Sequence, residues 1–158
     1  MKGRSKWRRL AGTIALGLSL VFALAVRAEP GAPAGRYQVT ADTVFDTTTR
    51  LTWQRALIWR NTGYSYPEAW HYCAGLDLEG GGWRLPTVKE LQTIVDERAH
   101  DPAIDPAAFP GTLPGTACWS SSGNVAQGTP LWPWLVDFTD GHAFTDGGVV
   151  GASMRCVR

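Results

Sequence analysis

The first 28 residues predict which part of the chain folds and in which compartment it does so. Basic residues extend to Arg9, an apolar run covers residues 10–26, and the run ends in Val26-Arg27-Ala28. This order is typical of a secretory signal peptide, so we predict cleavage after Ala28 and only transient contact with the membrane. An uncleaved anchor is the alternative, but the run is shorter than the about 20 residues that a membrane-spanning helix needs.

Charge is distributed unevenly between the predicted signal peptide and the rest of the chain. Six of the 15 Lys and Arg residues precede residue 29, whereas all 14 Asp and Glu residues lie at position 29 or later. Nine basic residues therefore remain against fourteen acidic ones, a net charge of −5 for residues 29–158. Because a nucleic-acid-binding protein usually needs a basic surface to neutralise phosphates, we exclude nucleic acid as a partner.

The exported part is long enough for one hydrophobic core and too short for two. About 130 residues bury roughly two-thirds of their unfolded surface on folding. Residues 29–35 contain Pro and Gly without apolar periodicity, so we predict a flexible leader there. A single domain should then occupy residues 36–158.

Two helix starts and several short β-prone runs define the fold class. Ser65 followed by Glu68, and Thr87 followed by Glu90, each match the capping-box pattern, and apolar residues follow at helical spacing. The β-prone runs lie before and after these helices, at 37–39, 43–45, 51–54, 118–121, 131–138, 142–144 and 153–157. This order predicts an α+β fold with a mainly antiparallel sheet, two helices and long loops.

A Pro-rich segment over residues 101–116 separates the second helix from the later strands. Pro102, Pro106, Pro110 and Pro114 interrupt any regular element in it. Loops of this length in a small domain often form a ligand-facing surface. We therefore predict that this segment, together with the Gly-rich strand ends at 123–130 and 147–151, displays the binding surface.

The run Trp83-Arg84-Leu85-Pro86-Thr87-Val88-Lys89-Glu90-Leu91 resembles the Lcl C-terminal domain family. Further matches follow in the family's order and cover about residues 36–158, among them Leu51-Thr52-Trp53-Gln54, Glu68-Ala69-Trp70-His71-Tyr72-Cys73, Trp119-Ser120-Ser121-Ser122 and Arg155-Cys156-Val157-Arg158. The resemblance implies a C-type-lectin-like α+β fold in an exported bacterial protein. The family's namesake is a surface adhesin for sulfated glycans, a polyanionic ligand for which a net charge of −5 is unfavourable.

The three cysteines fit an oxidising compartment, where a disulfide is stable. Related lectin-like folds tie their first helix to their last strand, so the resemblance implies a Cys73–Cys156 bridge. Such a long loop closure would contribute about 4.5 kcal/mol by chain entropy. Cys118 is then a buried apolar thiol, because no CxxC spacing or neighbouring base supports a redox or catalytic role.

Tryptophan is unusually frequent, and its positions predict two roles. Trp53, Trp83 and Trp119 lie within the family pattern, so we assign them to the core. For ligand contact we name three tryptophans in other contexts and one arginine, which are Trp59, Trp132, Trp134 and Arg84. Arg84 has an alternative role, since it could pair with a carboxylate such as Glu90 or Asp137 instead of a carboxylate or sulfate ligand.

Metal and catalytic chemistry have weak support in the sequence. Asp137, Asp140 and Asp146 could supply calcium ligands, but Asp140-Gly141 is sufficiently explained as a turn and the loop signatures of calcium-dependent lectins are missing. Neither Ser120–Ser122 nor the three histidines show the spacing of a nucleophile elbow, a triad or a zinc site. We predict no metal, no cofactor and no enzymatic activity.

These observations favour an exported, non-catalytic recognition module that is periplasmic or extracellular. It would bind a glycan, a peptide or a protein through loops on a lectin-like scaffold. The alternative is an interaction subunit of a bacterial envelope assembly, in which exposed tryptophans contact another protein. An enzyme on the same scaffold is the third possibility, and it would require a convergent polar pocket.

Overall fold

The computed structural model describes residues 31–123, 133–145 and 151–158. Within these ranges the chain forms two helices and two antiparallel sheets of three strands each. This arrangement confirms the predicted α+β class. The predicted signal peptide, Trp132 and Asp146 lie outside the described residues.

The first sheet has the order β1-β2-β3, with β1 at Tyr37–Val39, β2 at Thr43–Asp46 and β3 at Thr52–Gln54. A hairpin joins β2 to β3, which pair antiparallel. Its turn is held by Asp46, whose carbonyl accepts from Arg50 N–H at 2.8 Å and whose carboxylate accepts from Thr48 N–H at 2.9 Å. Arg36 donates to the same carboxylate at 2.8 Å, which fixes the beginning of β1 beside the turn.

The two helices begin where the capping boxes predict. Helix α1 covers Tyr66–Ala74, and the Glu68 carboxylate accepts from the Ser65 N–H at 2.7 Å. Helix α2 covers Val88–Thr93, with Thr87 as its cap. In the parts of the chain that the structure describes, neither helix has the length and apolar character to cross a membrane.

The second sheet has the order β4-β5-β6, with β4 at Ala117–Gly123, β5 at Pro133–Asp137 and β6 at Ala143–Thr145. The strand predicted over residues 153–157 is not continuous, because residues 152–157 form isolated bridges to several elements. These bridges are Trp53–Val157, Arg84–Val157, Ile58–Met154, Tyr64–Ala152 and Cys118–Ser153. The segment therefore connects β3 of the first sheet to β4 of the second.

A disulfide ties α1 to this terminal segment. Cys73 and Cys156 are bonded at an S–S distance of 2.05 Å, and both are fully buried. The pairing implied by the family resemblance is thus present in the structure. The core around it consists of two clusters, one beneath α2 and one beneath α1, and the terminal segment contributes Val157 to the first and Met154 to the second.

The Pro-rich segment 101–116 packs several of its side chains into the core and leaves others exposed. Ile104, Phe109 and Thr112 are buried, and Ala103 N–H donates to the Phe138 carbonyl at 2.6 Å. The prolines exclude regular structure there, but they do not prevent apolar side chains from packing inward. Because Leu113 is 60% exposed, the display of a ligand surface by this segment stays a prediction.

The predicted flexible leader is anchored at the end that the structure describes. Gly31 N–H donates to Asp96 at 2.8 Å and Ala32 N–H donates to Asp105 at 3.1 Å. Residues 31–35 therefore lie against the segment that follows α2, because the two carboxylates accept from their backbone. A leader that is free over its full length does not fit these contacts.

Replacing Phe109 with Ala tests whether segment 101–116 is structural. Phe109 is fully buried and contacts the Trp53 and Tyr37 rings, so its loss should lower the free energy of unfolding by about 3–5 kcal/mol. Leu113→Ala in the same segment is the control, because Leu113 is 60% exposed and its loss should change stability by less than about 0.5 kcal/mol. Chemical denaturation measures both, and equally small effects would show that the segment is not part of the core.

Candidate functional site

An open cleft of about 300 Å³ lies where four chain segments meet. The segments are the loop after Ile58, the start of β4, the β5–β6 pair and the beginning of the terminal segment. The lining residues are Arg60, Asn61, Gly63, Gly115, Ala117, Leu135, Phe144, Gly151, Ala152 and Ser153. The volume is at the lower end of the range of about 300–1,000 Å³ that small-molecule sites occupy.

Two glycines set one wall of the cleft. A Cβ on Gly63 would lie 2.3 Å from the carbonyl carbon of Gly151, and Gly63 also has a φ of +66°. Only glycine permits both this backbone conformation and this approach. Behind this wall, the Trp119 indole N–H donates to the Tyr64 carbonyl at 2.6 Å. The loop over residues 59–64 is therefore held firmly against the terminal segment.

Arg60 contributes the charge of the cleft, and that charge is neutralised. Its guanidinium donates to both carboxylate oxygens of Glu68 on α1, at 2.8 Å each, and it lies 4.2 Å from the centre of the Tyr64 ring. The hydrogen bond from the Ser65 hydroxyl, together with those from Arg60, lowers the pKa of Glu68 to about 2. Arg60 therefore lines the cleft with a guanidinium that is already paired with a carboxylate.

The remaining lining combines an apolar floor with uncharged polar groups. Leu135 is fully buried and pairs with Phe144 across β5 and β6, so their side chains lie on the same face of the sheet. Within the described ranges, the Asn61 amide and the Ser153 hydroxyl form no hydrogen bond with the protein. The cleft can thus offer hydrogen bonds to a ligand without breaking internal ones.

The tryptophans divide into core and surface groups largely as predicted. Trp53, Trp83 and Trp119 are buried, which confirms their assignment to the core. Trp59 is 56% exposed and directly precedes Arg60 of the cleft. Trp134 is half-buried, and because it alternates with Leu135 along β5 it faces away from the cleft.

Trp70 is an exposed indole that the sequence analysis missed. It is 48% exposed on α1, whereas Ala69 and Cys73 of the same helix are buried. The apolar spacing of that helix already places position 70 off the buried face, so the signal was present. Two residues correspond to about 200° of helical rotation, so Trp70 and Glu68 lie on opposite flanks of α1. Trp70 therefore lies on the flank of α1 opposite to the Arg60–Glu68 pair.

Arg84 forms the structural ion pair that was weighed as its alternative role. It donates to both oxygens of Glu90, at 2.8 and 2.7 Å, and Glu90 also accepts from Thr87 N–H at 2.7 Å. The hydrogen bond from Arg84 and that from Thr87 lower the pKa of Glu90 to about 2, against the opposing effect of partial burial. The planar donor face of Arg84 is thus occupied by a carboxylate of the chain itself.

A second cleft of about 440 Å³ lies between the end of α2 and the β5–β6 turn. It is lined by Gln92, Val95, Glu97, Asp140, Gly141 and His142. Asp140 accepts from the His142 ring at 2.6 Å, and the Asp137 carboxylate accepts from Thr139 N–H at 2.7 Å, so the two candidate calcium ligands that the structure describes hold the turn. Among the described residues, no group of three side chains is placed to hold a metal ion.

Two buried groups with unusual protonation equilibria serve the core. Burial raises the pKa of the Cys118 thiol to about 12 and lowers the pKa of the Arg155 guanidinium to about 10. Arg155 donates to the carbonyls of Gln54 and Arg55 and to the Thr112 hydroxyl, and it lies 5.0 Å from the Phe109 ring centre. It joins the terminal segment to β3 and to segment 101–116.

Together these features define a class, a small disulfide-tied α+β module with an open cleft between loops and sheet. The model of the Lcl C-terminal domain family matches residues 42–158, and the chain belongs to this family. Comparisons with curated proteins and with solved structures give no match. The family assignment agrees with the resemblance carried by the Trp83–Leu91 run.

Cys118 should be unreactive in the folded protein. Its thiol is fully buried and its raised pKa leaves almost no thiolate at pH 8, so iodoacetamide should modify it only after denaturation. Intact-mass analysis before and after addition of guanidinium chloride measures the difference. Rapid alkylation of the native protein would contradict the buried position.

Acid should weaken the protein partly through Glu90. Its pKa is lowered on folding, so its contribution is present above pH 4.5 and is lost as the pH falls toward 2. The Arg84 side chain is 47% exposed, so solvent screening limits the pair to about 1 kcal/mol. Glu90→Gln should lower the free energy of unfolding by about that amount at pH 6 and by almost nothing at pH 2. Equal losses at both values would show that the ion pair does not contribute.

Proposed function

We propose that this protein is an exported, non-catalytic recognition module that binds its ligand at the cleft beside Trp59. The observation that carries the proposal is a 56% exposed tryptophan that directly precedes, in the chain, a residue lining a preformed concave site. Exposed tryptophans next to such sites are typical anchors for ligands and partners. The loop bearing Trp59 is held by the Arg60–Glu68 pair and by Trp119, so little order has to be gained on binding.

A C-type-lectin-like scaffold is part of the proposal. In its support, the chain combines two helices with small antiparallel sheets, and a disulfide ties the first helix to the terminal segment. Much of the described chain is irregular yet packed, as in segment 101–116. Such a frame keeps loops in place without long strands, which suits a binding role more than a moving lid.

We propose a periplasmic or extracellular location for the folded module. The Cys73–Cys156 bridge supports it, because disulfides persist in oxidising compartments. The basic and apolar order of residues 1–28 supports export through a cleaved signal peptide. A mature N-terminus at Glu29, found by mass spectrometry of the exported protein, would agree with this location.

A non-enzymatic role is also a proposal, and the contacts of the polar groups support it. The Cys118 thiol is buried, the His142 ring is bonded to Asp140 on the surface, and the one charged residue in the lining of the described cleft is bound to Glu68. A general base, a nucleophile and an oxyanion site within reach of one another would be needed for catalysis. These groups lie in different parts of the fold.

The second candidate is an interaction subunit of an envelope assembly. Trp70 favours it, because this indole is 48% exposed on α1 away from the cleft. An exposed large aromatic of this kind is a common anchor between proteins. In that case the helix surface, and not the cleft, would carry the binding energy.

A pair of tryptophan variants separates the two candidates. The protein is probed on an array of bacterial envelope glycans and purified envelope proteins, first with calcium and then with a chelator. Trp59→Ala should weaken binding at least about tenfold, as expected for an anchor residue, whereas Trp70→Ala, its matched control, should not. Loss of binding with Trp70→Ala alone would favour the envelope subunit, and unchanged binding with both variants would contradict the role of the cleft.

A further inference from the structure

The electrostatics of the cleft restrict the chemical class of its ligand. Arg60 is the one charged residue among those that line it in the described ranges, and both carboxylate oxygens of Glu68 are bonded to its guanidinium. A sulfate or carboxylate ligand would have to compete with Glu68, whose two oxygens both accept from Nη2 of Arg60 at 2.8 Å. A cationic ligand would find no free carboxylate in the lining. The cleft is therefore suited to an uncharged ligand.

The free polar groups point to a ligand rich in hydroxyls. The Asn61 amide offers two donors and an acceptor, and the Ser153 hydroxyl can donate and accept. In the described part of the chain these groups have no hydrogen-bond partner, and both line the cleft. Uncharged groups that both donate and accept match hydroxyls, which do the same.

The floor of the cleft requires the ligand to have an apolar face as well. Leu135 and Phe144 are paired across β5 and β6, and Ala117 lies beside them in the lining. The face of an aromatic ring carries negative partial charge, so it attracts the C–H groups of a flat, hydroxyl-edged molecule. A sugar ring has this form, with C–H groups on its faces and hydroxyls at its edge.

The walls disfavour the obvious competitor, an extended peptide that adds as a strand. Strand addition needs free backbone donors and acceptors at an edge. Tyr64 and Ala152 exchange both of their backbone hydrogen bonds, at 2.8 and 3.0 Å, and Ser153 N–H donates to the Ala117 carbonyl at 2.9 Å. The backbone of Tyr64, Ala152 and Ser153 is therefore already paired, and recognition on this side of the cleft must use the side chains.

We propose that the cleft binds a neutral saccharide, with one ring over Phe144 and its hydroxyls on Asn61 and Ser153. This inference rests on the proposed recognition function and specifies its ligand class. The volume of about 300 Å³ suits one or two rings rather than the surface of a folded protein.

Titration calorimetry with the full-length, oxidised protein tests the ligand class. The probes are the neutral disaccharides cellobiose, maltose, lactose and diacetylchitobiose, with a sulfated heparin disaccharide for comparison. At least one neutral sugar should bind, and increasing salt should not weaken its binding, because no ion pair forms. Binding of the heparin probe alone, with loss at high salt, would overturn the inference, as would no binding of any neutral probe.

Point variants test the position of the site. Asn61→Ala and Ser153→Ala should each weaken sugar binding about fivefold, the effect of one lost hydrogen bond, whereas Gln38→Ala on the distant β1 strand should have no effect. Thermal unfolding of each variant verifies that it is folded. Phe144→Leu keeps an apolar floor but removes the aromatic ring, so it should also weaken sugar binding. Of these variants, Asn61→Ala should disturb folding least.

The outcomes separate this inference from the proposed function. Sugar binding that depends on Trp59 but is unchanged by the Asn61 and Ser153 variants would overturn the cleft assignment and leave the recognition role intact. A protein ligand that depends on Trp59, with no sugar bound, would also overturn the saccharide and retain the role. Failure of every glycan and protein probe would contradict both.

Discussion

The packing of residues 152–157 is the constraint on which the rest of the structure depends. This short segment bridges β3, the 58–64 loop and β4, and it adds side chains to both core clusters. The disulfide then fixes Cys156 of the segment to α1. Neither sheet has more than three strands in the described chain, so neither could bury enough apolar surface alone. The segment therefore joins the two small sheets by packing against both core clusters.

Arg155 shows how an expensive buried charge can be tolerated in this position. It lies at 1% exposure without a carboxylate partner in the described residues, and burial lowers its pKa accordingly. Backbone carbonyls of Gln54 and Arg55, the Thr112 hydroxyl and the Phe109 ring replace its hydration. Removal of one of these partners would leave a desolvated charge, so the residue links segments that local propensity alone would not bring together.

Local chemistry explains which parts of this fold were predictable. The capping boxes at Ser65 and Thr87 depend on residues three apart, so the starts of both helices could be predicted accurately. The α+β class followed from element order, and the Cys73–Cys156 pairing from the family resemblance. The core position of segment 101–116 could not be predicted, since prolines signal irregular backbone but do not indicate burial. Its burial depends on Arg155 and β5, which lie far away in sequence.

The candidate site was less predictable than the fold, for a related reason. Trp59 was identified from its position after a strand, but Asn61, Phe144 and Ser153 come from separate segments and match no motif. Only the tertiary contacts of the terminal segment bring them together. Arg84 is a predicted ligand residue, yet its guanidinium is bonded to the carboxylate of Glu90, three residues after the cap of α2. Whether Trp134 contacts a ligand stays a prediction, and Trp132 lies outside the described residues.

The late position of the bridging segment has a consequence for biogenesis. Residues 152–157 follow every other described element in the chain, so a nascent polypeptide lacks the piece that joins its two halves until that piece has been synthesised. Contacts between such distant residues also slow folding, because the connecting loops must close first. In the export that we propose, a chain of this design would stay open during translocation and would close on the far side, where its cysteines are oxidised.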